Sequence, residues 1–553
     1  MVQPSFVVFS GGSACNNIAQ AFHQISNNNV CYILGVSDNG GSTSELLRVL
    51  GGPSIGDLRS RLTRLIDVFD TNGYSTERAA IRELLSYRLP SNVSEHEVKD
   101  EWAAIVEGHH ILWKEIPIEK REAIRGFLTS FNFEILKRAH KRFNFSNGSI
   151  GNFFLTGARL FFGSLEAALF LFSALTGVSE PTAVVPVINT NHTATIAALL
   201  ENSDILVGQC EISHPSVTVS ASDLTKRTRP NPIDAFSQLA SDQNDLSPWN
   251  GSSPPNSNLV FSKHADEKLV SRIKRIYYIN EYGQEIYPVP NPKAISHLSL
   301  KQTLVYAIGS LYTSIVPCLV LRNVGNTIAQ SSSLKHKIFL LNGTNDRETG
   351  GYTALDFIAT VTAALNESQR IDARRAFYQS YDSEPAHAST SVSASAVPSA
   401  VPGAVLVGDA RSPPQHHNHH SQHNYPQNHL YSFNSHPGAI PFQRAGSSSI
   451  SSYNSSPTST APSSYSSHTV SGSMPGSPSH HYPPFPDHLF FPSPSSAFIT
   501  HLIYLHNTEI PVDVQAIQKL GIKPILIKGT LSSRGEPVYD EAALTDAIKS
   551  IVS

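Results

Sequence analysis

Apolar and polar positions follow two alternating patterns over residues 1–377 and 498–553. Short β-branched or aromatic runs that end at turn residues predict strands at 6–9, 30–36, 182–188, 205–208, 273–279, 303–307, 337–341, 498–505 and 522–527. Apolar residues at steps of three and four predict helices at 17–24, 81–87, 96–107, 118–143, 150–175, 514–519 and 541–551. Strands that alternate with helices predict an α/β fold with a parallel sheet.

Three segments depart from this alternation. Residues 76–143 are nearly all helical in pattern, and we interpret them as a helical excursion from the sheet. A lid over the sheet edge is one function that such an excursion could have. Residues 215–262 are polar and contain prolines, which indicates a loop. Residues 383–494 consist mostly of Ser, Pro, His, Ala and Asn, a composition with too little apolar surface to order the chain.

The segment 498–553 carries only a β-α-β-α pattern, which cannot cover both faces of its own strands. We therefore predict that it completes the sheet of residues 1–377. One α/β domain would then comprise residues 1–377 and 498–553, with 383–494 as a disordered insertion within it.

Charge and composition exclude several classes of function. Lys and Arg total 41 against 44 Asp and Glu, a formal charge of −3, so no basic footprint predicts nucleic acid or an anionic membrane as a partner. No apolar run reaches the roughly 18 residues of a membrane helix, and the first residues do not resemble a signal peptide. The four cysteines are scattered, which indicates a reducing compartment. We expect a cytoplasmic protein.

A glycine turn follows the first predicted strand. Residues 6–14 read FVVFSGGSA, which places Gly11, Gly12 and Ser13 between a strand and a helix. Backbone N–H groups at such a helix start favour a phosphate, and glycines allow its close approach. A plain tight turn explains the segment equally well.

A second turn follows the strand at 30–36. Residues 36–45 read VSDNGGSTSE. At the carboxyl edge of a strand, where open α/β sheets bind ligands, this segment provides Asp38, Asn39, Gly40, Gly41 and Ser42. Asp38 is a candidate for holding a metal ion, binding a ribose hydroxyl or taking up a substrate proton; the alternative is a turn that Asp38 caps.

A third turn lies in GGPSIGDLRSRL, residues 51–62. Gly56, Asp57 and Arg59 stand at a predicted helix start and offer an anion site with a carboxylate and a guanidinium. Arg59 could bind a phosphate through two hydrogen bonds. The alternative is an Asp cap with an Arg partner.

Two more helix starts carry small polar residues. In NGSIGNFF, residues 147–154, Asn152 can both donate and accept. In YAIGSLYTSIVP, residues 306–317, a strand is followed by Gly309, Ser310, Thr313 and Ser314. The sequence contains no G-x-S-x-G and no H-E-x-x-H segment, so it carries no signature of a covalent hydrolase or a zinc hydrolase.

These blocks, in this order, resemble the CofD/YvcK family, which includes 2-phospho-L-lactate transferase and the YvcK-type gluconeogenesis factors. The resemblance rests on the turn at 11–12, DNGGS at 38–42, PSIGDLR at 53–59, GN at 151–152, GSLYTS at 309–314 and the N…ETGGY pattern at 342–352. FSGGSA, VLGGP and GQCEISHP are similar to the eukaryotic branch found in plants and fungi. The resemblance implies a Rossmann-like, mostly parallel sheet that binds a nucleotide diphosphate at its carboxyl edge.

The resemblance implies two candidate functions. In a phospholactyl-type transferase, Mg²⁺ neutralises a diphosphate and an acceptor hydroxyl attacks phosphorus; Asp38 and Asp57 would be the catalytic and metal-binding residues, and Arg59 and the glycine turns would bind phosphate. In a YvcK-type regulator, a UDP-sugar would bind without turnover. The expected ligand is therefore GDP- or UDP-linked.

Other partners stay open at this point. A homodimer is one alternative. The 383–494 insertion contains Ser-Pro steps at Ser412, Ser456, Ser477 and Ser493, so it offers phosphorylation sites or a segment for a protein partner. A spacer without such a role is the simpler interpretation.

Overall fold

A computed structural model describes residues 3–12, 14–70, 73–138, 140–178, 180–213, 268–383 and 484–553. The loop predicted at 215–262 lies outside these residues, and so does most of the insertion predicted at 383–494. The described chain resumes at residue 484, ahead of the predicted boundary. There the main-chain N–H of Ser493 donates to Asn366 Oδ1 at 2.8 Å, so this stretch is held against the long helix that precedes the insertion.

The strands, in chain order, are β1 (Phe6–Phe9), β2 (Val30–Leu34), β3 (Phe69–Asp70), β4 (Gly73–Tyr74), β5 (Ala183–Pro186), β6 (Thr195–Leu200), β7 (Ile205–Val207), β8 (Ile273–Ile279), β9 (Glu285–Ile286), β10 (Thr303–Tyr306), β11 (His336–Leu340), β12 (His501–Leu505), β13 (Lys523–Ile527), β14 (Gly529–Leu531) and β15 (Pro537–Tyr539). Seven of them form one sheet in the order β13-β12-β11-β10-β1-β2-β5. Every neighbouring pair in this sheet is parallel. The predicted α/β fold with a Rossmann-like, mostly parallel sheet is confirmed.

The α-helices are α1 (Ala19–Ser26), α2 (Gly41–Leu50), α3 (Gly56–Arg64), α4 (Thr76–Ser86), α5 (Glu95–Glu107), α6 (Ile118–Leu136), α7 (Ile150–Phe162), α8 (Leu165–Thr176), α9 (Gln209–Ser213), α10 (Pro292–Leu300), α11 (Val316–Leu319), α12 (Val324–Gln330), α13 (Ala354–Ser383), α14 (Ser495–Phe498), α15 (Val514–Lys519) and α16 (Glu541–Val552). Short 3-10 turns lie at Ala14–Asn17, Ile111–Trp113, Arg347–Thr349 and Asp487–Leu489, and a π-helical turn at Leu311–Ile315. None of the helices in the described ranges combines the length and the apolar character that crossing a membrane requires.

The sheet is buried on both faces, as its apolar strands require. Because side chains alternate along a strand, Val7 and Phe9 of β1 join one core cluster, whereas Phe6 and Val8 join the other. Helix α16, from the end of the chain, packs on α1 over the second cluster. The carboxyl-terminal strands and helix therefore belong to the same layers as the amino-terminal ones.

A second sheet corrects part of the strand prediction. The segments predicted at 205–208 and 273–279 form β7 and β8, but they lie in an antiparallel sheet of order β7-β6-β8-β9 and not in the parallel one. Apolar runs predict a strand without saying which sheet it joins. Strand β6 was not predicted, because its Ala- and Leu-rich sequence TIAALL lacks the β-branched pattern typical of strands.

The apolar block predicted as one helix at 150–175 is two helices. Gly163 ends α7 in the left-handed conformation, with φ of 63°, and the Ser164 side chain caps α8 by accepting the N–H of Ala167 at 3.2 Å. A left-handed glycine followed by a serine cap is a stop and start signal that the run of apolar residues hides.

The segment predicted as a helical excursion, residues 76–143, contains α4, α5 and α6, and the last of these ends at Leu136. Helices α4 and α6 both pack on α7, and an aromatic cluster fills the space between them. Trp102 of α5 stacks on Phe145 at 5.4 Å and meets Phe153 of α7 edge-on at 5.2 Å. The excursion is thus anchored through α7, a helix that begins at the carboxyl edge of the sheet.

Candidate functional site

The topology of the sheet identifies one ligand-binding edge. From β1 the chain passes to β2 and β5 on one side, and then returns to β10 and β11 on the other. The order therefore reverses between β1 and β10, and open α/β sheets bind ligands outside the carboxyl ends of the strands at such a point. The loops that leave β1 and β10 at this edge contain the glycine turns of the first and fifth sequence blocks.

The two loops touch through glycines. A Cβ atom on Gly309 would lie 2.9 Å from the Gly11 nitrogen and 3.2 Å from its Cα, and a Cβ on Gly11 would lie 3.1 Å from Ser314 Oγ. Asn342, from the loop after β11, donates through Nδ2 to the Gly309 carbonyl at 3.0 Å. Only glycine permits this approach of one backbone to another.

Gly12 packs on Asp57. A Cβ atom at position 12 would overlap the Asp57 carboxyl group and would lie 2.9 Å from its Cα. The Gly12 N–H donates to that carboxylate. Gly11 and Gly12 are themselves buried. They allow neighbouring loops to pack closely, and the residues around them provide the polar groups at this edge of the sheet.

We define the glycine cleft as Gly12, residues 38–41, Asp57, residues 309–310 and Ser314. All of these except Gly12 are half-buried. The structure thus brings Gly12, Asp38, Asp57 and Gly309, one residue from each of the first, second, third and fifth blocks, to one place. Ser13 lies outside the described residues.

Two carboxylates approach each other in the glycine cleft. Partial burial and the negative charge of Asp38 raise the pKa of Asp57 to about 7, while Arg61, Arg59 and the Gly12 N–H act in the opposite direction. Asp38 Oδ1 accepts the N–H of Gly40 at 2.9 Å. Because like charges disfavour each other, the pair is arranged to hold a proton or a cation.

The loop after β2 contacts α9, which was not predicted to be part of the site. The N–H of Cys210 donates to Asn39 Oδ1 at 3.0 Å, and a Cβ on Gly40 would lie 3.1 Å from Cys210 Sγ. Burial and the charges of Asp38 and Glu211 raise the pKa of the Cys210 thiol to about 12, so this thiol stays protonated. The family-like GQCEISHP block is the signal that marks this contact.

Arg59 lies on a different face of α3 from Asp57 and contacts Asn152 of α7. Arg59 Nε donates to Asn152 Oδ1 at 3.2 Å, and Asn152 Nδ2 donates to Ser42 Oγ at 3.1 Å. Residues two apart on a helix point in different directions. Asp57 and Arg59 were predicted to form one anion site, but their side chains leave α3 in different directions. Gly56 lies beside α2, where a Cβ would be 2.9 Å from Thr43 Oγ1.

Thr313 is engaged within the protein. Glu348, buried to 3% exposure, accepts the N–H groups of Tyr312 at 2.9 Å and Thr313 at 3.1 Å and also the Thr313 hydroxyl at 2.5 Å. Burial and the charge of Asp346 raise the pKa of Glu348 to about 8. Glu348 thus fixes the turn that follows Gly309 and Ser310.

Two arginines near the cleft were not predicted. Arg61 is fully buried, with its guanidinium 4.5 Å from the Tyr32 ring centroid and Nη2 3.4 Å from Ser10 Oγ. Arg88, after α4, donates through Nη1 to Ser42 Oγ at 3.2 Å. Arg61 lies in the third sequence block but was not assigned to the site, and Arg88 lies outside all of the blocks.

Comparison with known proteins identifies the family. A family model described as 2-phospho-L-lactate transferase CofD matches residues 6–421. The chain belongs to the CofD family. The resemblance expected from the sequence is therefore confirmed.

Relatives of this CofD-family chain occur in yeast and bacteria. Uncharacterized protein YNL011C of Saccharomyces cerevisiae is 39% identical over 381 residues, which are 66% of this chain and 83% of the yeast protein. A putative gluconeogenesis factor of Nostoc sp. is 37% identical over 87 residues, 16% of this chain and 19% of that protein. A crystal structure of a Bacillus halodurans protein aligns over 99% of both chains with a TM-score of 0.49 and 13% identity.

In this CofD-family member the six sequence blocks meet at the carboxyl edge of the sheet. The blocks that carry Gly12, Asp38, Asp57 and Gly309 form the glycine cleft, and the ETGGY block supports it through Glu348. The block that carries Asn152 lies behind α3.

Proposed function

We propose that the glycine cleft binds a nucleotide diphosphate and that the protein is a transferase of the 2-phospho-L-lactate transferase type, acting on a substrate of its own. The observation that carries this proposal is the position of Asp57 directly against Gly12, at the point where the strand order reverses. A carboxylate at that point, surrounded by half-buried hydroxyls and a helix start, has the chemistry to hold a diphosphate and an acceptor hydroxyl.

The residues of the cleft divide into two roles. The hydroxyls of Ser310 and Ser314 and the amide of Gly41, where α2 begins without a side-chain cap, would donate to phosphate oxygens. Asp57 would accept a hydrogen bond from the acceptor hydroxyl and so orient it toward phosphorus.

Asp38 and Asp57 fit a magnesium ion. Their mutual repulsion, seen in the raised pKa of Asp57, favours a cation between them, and Mg²⁺ is usually held by one or two carboxylates with phosphate oxygens and water. When bound, Mg²⁺ would neutralise charge on the diphosphate. The two side chains would hold it from the protein side.

A second candidate is a YvcK-like regulator that binds a UDP-sugar without turnover. The Nostoc relative, described as a putative gluconeogenesis factor, supports this candidate. The same cleft would serve both functions, because diphosphate binding does not require an acceptor.

Thermal-shift titrations with GDP, UDP and UDP-sugars, each with and without Mg²⁺, test the proposal. We expect a saturable rise in melting temperature that Mg²⁺ strengthens and that Asp57→Asn weakens. Phosphorus NMR of the best ligand with candidate acceptors then separates transfer from binding alone. A folded protein that none of these nucleotides stabilises would refute nucleotide-diphosphate binding.

A further inference from the structure

The amino edge of the parallel sheet carries a row of polar side chains on one face. Thr303 of β10 pairs in register with His336 of β11, and His501 of β12 pairs with Lys523 of β13. His501 also pairs with Ile338, two residues along β11 from His336. All of these side chains therefore leave the same face of the sheet. We call Thr303, His336, His501 and Lys523 the amino-edge row.

Two imidazole rings lie side by side in the amino-edge row. The ring centroids of His336 and His501 are 6.0 Å apart, and both side chains are half-buried. Nδ1 of His501 is engaged with Thr500 Oγ1 at 2.8 Å, which leaves Nε2 for a ligand. Among the described residues, neither ring nitrogen of His336 has a hydrogen-bond partner. Three ring nitrogens are therefore available on neighbouring strands.

The charged groups that act on the two rings are all cationic. Burial and then the charge of Lys335 lower the pKa of His336, and burial, His336 and Lys523 lower the pKa of His501. The segments that enter the sheet here, residues 299–304, 333–337, 499–502 and 521–524, contain four lysines and two histidines but no Asp or Glu. Like charges gathered without a counter-charge favour the binding of an anion.

A buried hydroxyl group lies in the same row. Thr303 is 1% exposed, and its hydroxyl has no hydrogen-bond partner in the described part of the chain. Buried hydroxyl groups normally have a partner, because leaving one without a hydrogen bond costs free energy. Neighbouring strands are about 4.8 Å apart, so Thr303 lies beside His336 and adds an unused donor to the row.

The amino-edge row and the glycine cleft lie at opposite ends of the strands. His336 begins β11, whereas Asn342, after the same strand, contacts Gly309 at the carboxyl edge. Six residues of extended chain span roughly 20 Å. The two places share no residue, and the inference that follows does not rest on the proposed function.

We infer that the amino-edge row binds a tetrahedral oxyanion between His336, His501 and Lys523, and that the two imidazole rings take up protons when the oxyanion binds. Protonated imidazole and ammonium groups form charge-assisted hydrogen bonds to such an anion. Neutral histidines also bind transition metals, but the charges of Lys335 and Lys523 oppose a cation here. The oxyanion would be a phosphate or a sulfate group.

Isothermal titration calorimetry with sulfate at pH 5.5 and pH 7.5, at constant ionic strength, tests the inference. Sulfate carries two charges at both pH values, so any change of affinity reports the protein. At pH 7.5 the rings of the free protein are neutral, because their pKa values lie below the ordinary value of about 6.5. A bound anion favours their protonated forms. We therefore expect roughly tenfold or more tighter binding at pH 5.5.

Substitutions assign the binding to the row. At pH 5.5, His336→Gln and His501→Gln should each weaken sulfate binding roughly tenfold and reduce its dependence on pH. Lys523→Met should weaken binding at both pH values. The matched controls are His96→Gln and Lys114→Met in the helical excursion, whose side chains are 86% and 72% exposed. Both controls should bind sulfate as wild type does. Lys523 is exposed, so its variant is expected to fold even if a histidine variant does not.

Asp57→Asn distinguishes the amino-edge row from the glycine cleft. Protonation of Asp57 at low pH would also favour an anion, but in the cleft. The dependence of sulfate affinity on pH should persist in Asp57→Asn and be reduced in the histidine variants. The inference is overturned if wild type does not bind sulfate saturably, if the histidine variants keep the full dependence on pH, or if Asp57→Asn removes it.

Parallel titrations with inorganic phosphate and with ZnCl₂ identify the chemistry of the ligand. Tighter binding of phosphate than of sulfate at pH 7.5 would identify a phosphate group, and equal affinities would identify a site for either oxyanion. Saturable binding of Zn²⁺ that His336→Gln removes, without binding of sulfate, would overturn the inference in favour of a metal. Failure of every nucleotide to bind would refute the proposed function and leave the sulfate result unchanged.

Discussion

Gly12 and Asp57 are in contact at the point where the strand order of the sheet reverses. The Gly12 N–H donates to the Asp57 carboxylate, and a Cβ at position 12 would lie within 2.9 Å of the Asp57 Cα. The opening glycine turn therefore does more than leave amides free for a phosphate. It sets the position of the carboxylate that the proposed transfer requires.

Gly12→Ala should separate the Asp57 carboxylate from the loop after β1. Because the added Cβ would also press on backbone atoms of Asp57, the overlap cannot be relieved by a side-chain movement alone. We expect a stability loss of about 1–3 kcal/mol. Nucleotide affinity should fall roughly tenfold or more. Urea unfolding and calorimetry measure the two effects.

The matched control is Gly126→Ala in α6, where a Cβ would meet nothing within 4 Å. Alanine there should stabilise the helix by about 0.5–1 kcal/mol and leave nucleotide affinity unchanged. Equal effects of the two substitutions on affinity would show that Gly12 has no special relation to the cleft.

Asp57→Asn should change the pH dependence of stability in the protein without Mg²⁺ or ligand. The pKa of Asp57 is about 7 in the folded protein and about 4 in an unfolded chain. Between these values the folded state binds more protons, so this group makes the free energy of unfolding fall as pH rises. Asparagine removes that effect.

Urea unfolding of both proteins in EDTA at pH 5, 6, 7 and 8 measures the difference. The stability of the variant relative to wild type should increase up to about pH 7 and then stay level. Carboxyl groups that do not interact with Asp57 contribute equally to both proteins and cancel. A difference that stays constant across this range would show that the folded pKa of Asp57 is ordinary.

Much of the sheet follows from the sequence because its strands are short, apolar and bounded by turn residues. Strand β8 and helix α15 have the predicted bounds, Ile273–Ile279 and Val514–Lys519. Which sheet a strand joins depends on long-range packing, and this is why β7 and β8 were placed in the wrong sheet. Helix α7 ends at Gly163 for a local reason, a left-handed glycine, that an apolar run conceals.

The residues of the glycine cleft stand in segments that the sequence marks as turns or helix starts. Asp38 and Gly309 follow strands, and Asp57 lies in the first turn of α3. Arg61 lies in the interior of α3, and Arg88 lies in the segment after α4. Their spacing along the chain therefore gives no signal that they approach the cleft. Asp57 and Arg59 are close in sequence, but the periodicity of a helix places them on different faces of α3.

Glu348→Ala should destabilise the turn after β10. It leaves the buried N–H groups of Tyr312 and Thr313 without their acceptor, and we expect a loss of about 2–4 kcal/mol. Glu348→Gln keeps an acceptor oxygen and should lose much less. Urea unfolding ranks the two variants. Equal losses would show that the carboxylate charge matters more than the hydrogen bonds.

Arg61→Met tests whether an unpaired buried charge stabilises this fold. Arg61 is fully buried, and its Nε and Nη1 atoms have no hydrogen-bond partner among the described residues. Desolvation of the guanidinium costs several kcal/mol, which the contact with the Tyr32 ring offsets by about 2 kcal/mol. Methionine fills similar space, so stability should stay within about 1 kcal/mol of wild type or rise.

Arg159→Met is the matched control for Arg61→Met. Arg159 is 5% exposed, but its guanidinium donates to the carbonyls of Gly51 at 3.0 Å and Asn191 at 3.5 Å. Arg159→Met leaves those carbonyls without a donor and should lower the free energy of unfolding by about 1–3 kcal/mol. If urea unfolding shows that Arg61→Met costs as much as Arg159→Met, Arg61 stabilises the fold through its charge. If only Arg159→Met is destabilising, the buried charge of Arg61 does not stabilise the fold.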